Sequence, residues 1–175
     1  MIRNIRRRQR GVSIVEALVA LVVLSVGMLG IANMYLESLR SNRTARARTV
    51  AIQLVNDMAD RIRSNRGGLA DYNNTQGNAP AAGKDCSKNE CTPKEVAQYD
   101  LSQWYVAVTN VGAPATDVRS GLPKGADGSV PQIEVKYIPG TNPTDPGRYT
   151  VKALWKEPGS DSFLSASVEV MQIGG

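Results

Sequence analysis

Residues 17–36 form a predominantly apolar run of twenty positions without a charge, about 30 Å of helix and enough to cross a hydrocarbon core. The run is too long for an ordinary secretory h-region, and no A-x-A cleavage site follows it. Gly27 and Gly30 within it permit close helix contact or are simply tolerated by an inert anchor. Asn33 is interfacial or a polar contact to a neighbouring helix. Residues 37–66 lack proline and glycine, so the helix is expected to continue. Val50, Leu54, Met58 and Ile62 recur every four residues, with Ala51, Val55 and Ala59 beside them, which makes one apolar stripe. Asp57 and Arg61 face each other at i, i+4. Arg61, Arg63 and Arg66 crowd the last turns and Gly67 follows as the expected C-cap. The helix is predicted over residues 13–66, about 80 Å at 1.5 Å per residue.

After the helix the pattern weakens. Residues 67–98 are rich in Gly, Asn, Ala and Pro and read as a long loop with little regular structure. Asp100 reads as the N-cap of a short helix that presents Leu101, Trp104, Tyr105 and Val108 on one face. The β-branched content of residues 105–111 leaves a strand as a rival. Residues 111–128 are loop again, marked by Pro114, Gly121, Pro123, Gly125 and the Asp127, Gly128 turn signal. In the C-terminal third, Ile133, Val135 and Tyr137 alternate with Glu134 and Lys136. Tyr149, Val151, Ala153 and Trp155 alternate with Thr150, Lys152 and Lys156, and residues 163–171 give a third run. The short turns over 139–147 and 158–161 imply an antiparallel meander of three or four strands, with the helix stripe covering its apolar face. The expected class is α+β.

Charge sharpens this picture. The chain of 175 residues carries a net charge of +5, which first suggests a nucleic-acid ligand. Arg3, Arg6, Arg7, Arg8 and Arg10 supply that excess ahead of Gly11. Without residues 1–11, Lys plus Arg falls from 21 to 16, against 16 Asp plus Glu. The remainder is neutral and has no electrostatic footprint for nucleic acid. The leader's arginines instead orient the helix leader-in, opposed by the weaker group Arg40, Arg43, Arg46 and Arg48. Those four spread around the helix and read as a solvated surface near lipid headgroups or as a contact for acidic partners.

Chemistry-bearing motifs are sparse. The absence of histidine removes Ser-His-Asp and Cys-His catalysis and most zinc and copper sites. The stretch GNAPAAGK over 77–84 has five residues between its glycines, and Asp85 stands where a phosphate loop needs Ser or Thr. No acid cluster has EF-hand spacing. No catalytic residue, metal site or cofactor is expected. Cys86 and Cys91 are expected to pair as a small disulfide outside the cytoplasm, or to stay free thiols in a reducing compartment. Glu16, alone in the apolar run, is costly and so is expected to be functional. Its partner is expected to be a new amino terminus made by cutting after Gly11.

The stretch Gly11, Val12, Ser13, Ile14, Val15, Glu16 resembles the processing site of type IV prepilins. There the prepilin peptidase cuts after the glycine and N-methylates the new first residue. Val12 departs from the family's usual phenylalanine at that position. Within the family, residues 14–33 and 58–66, a cysteine-bearing loop, Asp100, Leu101 and Trp104, and then Leu122, Pro123, Gly125 and Gly128 are similar to the V-type minor pilins, the type IV pilus modification proteins. The resemblance implies a pilin fold, a long N-terminal helix packed on a C-terminal antiparallel sheet, and favours helix over strand at residues 100–110. It implies a leader over 1–11, a membrane and filament-core helix over 12–36, and a periplasmic globular domain over 37–175. Processing would occur at Gly11 and Val12, and Glu16 would set subunit register. The implied partners are prepilin peptidase, the inner membrane, the major pilin and other minor pilins, joined as a hetero-oligomer that primes pilus assembly at or near the tip. A minor pseudopilin of a type II secretion system is the nearest alternative. A membrane-anchored periplasmic enzyme or binding module is the alternative of another class.

Overall fold

The computed structural model describes residues 11, 13–112, 121–139, 147–157 and 160–171. The leader arginines, Val12, Pro114, Pro158 and the greater part of the turn over 139–147 lie outside them. Helix α1 spans Ile14–Ser64. The chain divides into two compact units, Met1–Arg43 and Thr44–Gly175.

The described part of the first unit is helix alone. Every large apolar side chain from residue 14 to residue 36 is more than half exposed, from Ile14 at 80 % to Leu36 at 54 %. The helix is long and apolar enough to cross a membrane.

The second unit holds the core. The last turns of α1 run into a 3-10 helix over Arg66–Tyr72, then helix α2 over Pro93–Thr109, and strands β1 Gln132–Ile138, β2 Arg148–Lys156 and β3 Phe163–Met171. The sheet is antiparallel in the order β1-β2-β3. Its register places one apolar row after another across the inner face. Val151 lies between Val135 and Val168, Ala153 between Ile133 and Ala166, and Tyr149 between Tyr137 and Val170. The predicted alternation holds along the strands except at Tyr137, which is 39 % exposed at the end of β1. The fourth strand of the sequence reading reduces to one bridge, in which Asn74 exchanges both backbone hydrogen bonds with Val135 at 2.8 and 3.0 Å.

Both helices supply the opposing layer. Ala47, Ala51, Val55, Met58, Ala59 and Ile62 of α1 join Ala97, Leu101, Trp104 and Val108 of α2 and the inner sheet face in one core. The α1 stripe is rotated slightly from its expected centre. Val50 and Leu54 are only partly buried, whereas Ala51 and Val55 are fully inside. Burying each large aliphatic side chain contributes about 2 kcal/mol. Two polar tips of aromatics tie the elements: Trp104 Nε1 of α2 donates to the Leu54 carbonyl of α1 at 2.8 Å, and Tyr149 Oη of β2 to that of Leu69 in the 3-10 helix at 2.6 Å. Each keeps a buried donor satisfied, which an aromatic of this kind requires.

Helix α2 corrects the sequence reading. It begins at Pro93, well before Asp100, and occupies part of the segment expected to be loop. Thr92 is its N-cap, and Glu95 completes a capping box by accepting from the Thr92 backbone N–H at 2.8 Å. Those same hydrogen bonds hold the Glu95 carboxyl below the usual range. Asp100 sits mid-helix, and helix rather than strand continues to Thr109. Gly67 is likewise no C-cap: α1 ends at Ser64 and passes directly into the 3-10 helix. Gly67 and Gly68 instead lie where that helix crosses the start of α2. A Cβ on Gly67 would stand 3.0 Å from Pro93 Cγ, and one on Gly68 would collide with the Pro93 carbonyl oxygen.

Candidate functional site

Two regions carry the chain's polar chemistry. The first is the start of α1. Helical hydrogen bonding opens with Ala17 N–H donating to Ser13 O at 3.1 Å. Glu16 falls in the first helical turn, where the helix dipole favours an anion. Its side chain has no ion-pair partner among the described residues, and no group of residues there could hold a metal ion. Gly11 is exposed, and a Cβ added to it would meet nothing within 4 Å. The same is true of Gly27 and Gly30. No contact among the described residues therefore demands glycine at any of these three positions.

The second region is a polar network that joins α1, the 3-10 helix and α2. Asp100, 7 % exposed, accepts from Tyr72 Oη at 2.6 Å and from Arg61 Nη1 at 2.9 Å. Arg61 Nε donates to Asp57 at 2.9 Å, the i, i+4 pair expected from spacing. Asn65 Nδ2 donates to Tyr72 Oη at 3.1 Å and to the Pro93 carbonyl at 2.7 Å. These hydrogen bonds link α1, the 3-10 helix and α2 and fix their relative positions. Burial, and then the Asp100 hydrogen bond, push the Tyr72 hydroxyl above its ordinary pKa of 10.0. A raised folded pKa means that this contribution to stability is complete below pH 10 and lost as pH rises beyond it. Tyr72→Phe should therefore flatten the alkaline fall in stability, leaving the share due to Tyr149, which burial also raises. Denaturant midpoints measured from pH 8 upward check this. Parallel curves for the two proteins would refute it.

Cys86 and Cys91 form a disulfide with their Cα atoms 5.7 Å apart. The loop it closes is ordered by its own side chains. Asp85 accepts from the Ser87 hydroxyl at 2.6 Å, and Lys84 Nζ donates to the Glu90 carbonyl at 2.6 Å. Hydrogen bonds from Ser87 and Lys88 hold the Asp85 carboxyl below its usual range. On the outer sheet face, Lys152 pairs with Glu134 at 2.9 Å, and Lys156 with Asp127 at 2.7 Å.

The structure does not bring the sequence-predicted residues into one place. Gly11 and Glu16 belong to the first unit, and Cys86 and Cys91 to the second. Sequence reasoning missed the roles of Asp100, Tyr72 and Asn65, whose partners lie 7 to 39 residues away.

A family model described as type IV pilin Tt1218 matches residues 33–102. Another, described as the prokaryotic N-terminal methylation motif, matches residues 6–32. No curated protein and no solved structure matches the chain. The two family matches adjoin, so that one reading runs without a gap through Glu16, the apolar helix, the disulfide and Asp100, and together they support a type IV pilin.

Proposed function

We propose that this pilin is a minor, V-type subunit, which primes pilus assembly with other minor pilins and enters the filament at or near its tip. Prepilin peptidase cuts after Gly11 and methylates the Val12 amine. The apolar part of α1 holds the subunit in the inner membrane, with the second unit in the periplasm, until it packs against the helices of its neighbours. There Glu16 neutralises a Val12 amine, its own or a neighbour's, and so sets axial register. An uncompensated charge in an apolar bundle is strongly unfavourable, and such pairs are best attested as devices of register.

The observation that carries this reading is the state of α1 in the first unit. Its apolar side chains are exposed on all sides, and the carboxylate of its first turn, Glu16, has no ion-pair partner among the described residues. Such a surface requires lipid or other helices. The open space at Gly27 and Gly30 supports close approach of another helix backbone. The resemblance to V-type minor pilins supports the finer placement.

The mass of the amino-terminal peptide from cell membranes tests the proposal. A chain that begins at Val12 with one added methyl is the expected result. A chain that still begins at Met1 in cells with active prepilin peptidase would make α1 a plain signal anchor and overturn the proposal.

A further inference from the structure

The two edges of the sheet are finished differently. The outer edge of β1 is closed by Asn74, which bonds to both backbone groups of Val135, and Gln76 Nε2 donates to the Gln132 side chain at 2.9 Å. Pro131 and Pro139 flank this strand, and it carries Lys136. The outer edge of β3 has no pairing strand among the described residues. It also lacks the devices that usually guard an edge. Its nine residues, FLSASVEVM, contain no Lys, Pro or Gly. Its register with β2 runs unbroken from Met171 opposite Arg148 to Phe163 opposite Lys156, so no bulge bends it away.

The core is also incomplete on this side. On β2, Val151, Ala153 and Trp155 are 0–2 % exposed. Their neighbours on β3, Val168, Ala166 and Leu164, are only partly buried. A strand laid along β3 would satisfy the open backbone groups and cover this row in one step. Carbonyls and N–H groups spaced along an extended edge are matched only by another extended backbone.

We infer that the outer edge of β3 receives an extended segment of a different pilin subunit, by strand addition. The inference rests on the pilin reading and names the partner's chemistry. The incoming segment alternates apolar side chains, which cover Leu164, Ala166 and Val168, with small or polar ones beside Ser165 and Ser167. Glu169 is the single charge on β3, and its side chain is 63 % exposed even with Arg148 at 3.8 Å. A Lys or Arg beside it on the incoming strand complements this charge. A second β3 has no cation to offer, which argues against pairing of β3 with its own copy.

The test places a photo-crosslinking amino acid at Ser167 in the full chain, in its own cells, with Lys136 on β1 as the control position. The expected result is an adduct at Ser167 that maps to an extended segment of another pilin, and none at Lys136. Proline is then introduced at Ser165 and, separately, at Ala166. In an antiparallel edge strand, one of two adjacent residues directs its N–H outward. Proline there blocks strand addition without removing a bond to β2. The variant whose thermal stability matches wild type should lose the adduct. Retention of the adduct in that variant would overturn the proposal. So would equal adducts at Ser167 and Lys136, an adduct within the same chain, or one with a second copy. The amino-terminal mass in the same cells separates two failures. A chain starting at Val12 without an adduct overturns the edge proposal alone, and a chain starting at Met1 overturns the pilin reading with it.

Discussion

Glu16→Ala is expected to yield a chain that is cut and methylated normally but is no longer retained by other pilins. The argument is about where the carboxylate acts. In the single chain Glu16 touches no cation among the described residues and supports no fold contact, so its removal costs the monomer little. In a bundle of apolar helices, the Val12 amine would be left charged and unmatched. Losing one partner of a buried pair costs about 3–5 kcal/mol, a drop of roughly a hundredfold or more in subunit association. Glu16→Gln should behave nearly as badly, since it fills the same volume without the charge. Co-purification of other pilins with the tagged variant, beside the amino-terminal mass, reads both halves. Undiminished co-purification would remove Glu16 from the account of register.

The second large effect is expected at Asp100. Asp100→Ala strips acceptors from Tyr72 and Arg61 at once. The Tyr72 hydroxyl is buried and keeps only Asn65, and an orphaned buried polar group costs about 1–3 kcal/mol. The Arg61 side chain is 36 % exposed and still holds Asp57, so its share is reduced by solvent screening. The sum is about 3 kcal/mol, read as a shift in urea midpoint by the fluorescence of Trp104 and Trp155, which are both buried in the second unit. Asp100→Asn retains an acceptor and should lose less than half as much. A loss in Asp100→Ala below about 1 kcal/mol would show that the network orders the helices without stabilising them.

The ease with which these features could be read from sequence follows their range along the chain. The apolar run and the three strands are periodic over many residues, and tertiary packing did not override them. Glu16 stood out because a charge in an apolar run has no innocuous local role. The start of α2 was misplaced although its signal was present. Thr92, Pro93 and Glu95 are a capping box with proline in the first turn, whereas Asp100, a residue type that also caps helices, was read as the N-cap. Gly67 was misread in the same way, since glycine after arginines marks a helix end as readily as a close crossing. The Asp100, Tyr72 and Arg61 contacts were beyond reach, because nothing local in three separate segments announces that they meet.

The segment from Ala79 to Thr92 contributes no side chain to the core, yet its surroundings are fixed on both sides. Before it, Asn74 is bound to Val135; after it, Thr92 caps α2; between them the disulfide and Asp85 order the chain. This makes the segment a place where mutations can accumulate without unfolding the subunit. The exposed positions between these fixed points can change shape and charge without touching the core.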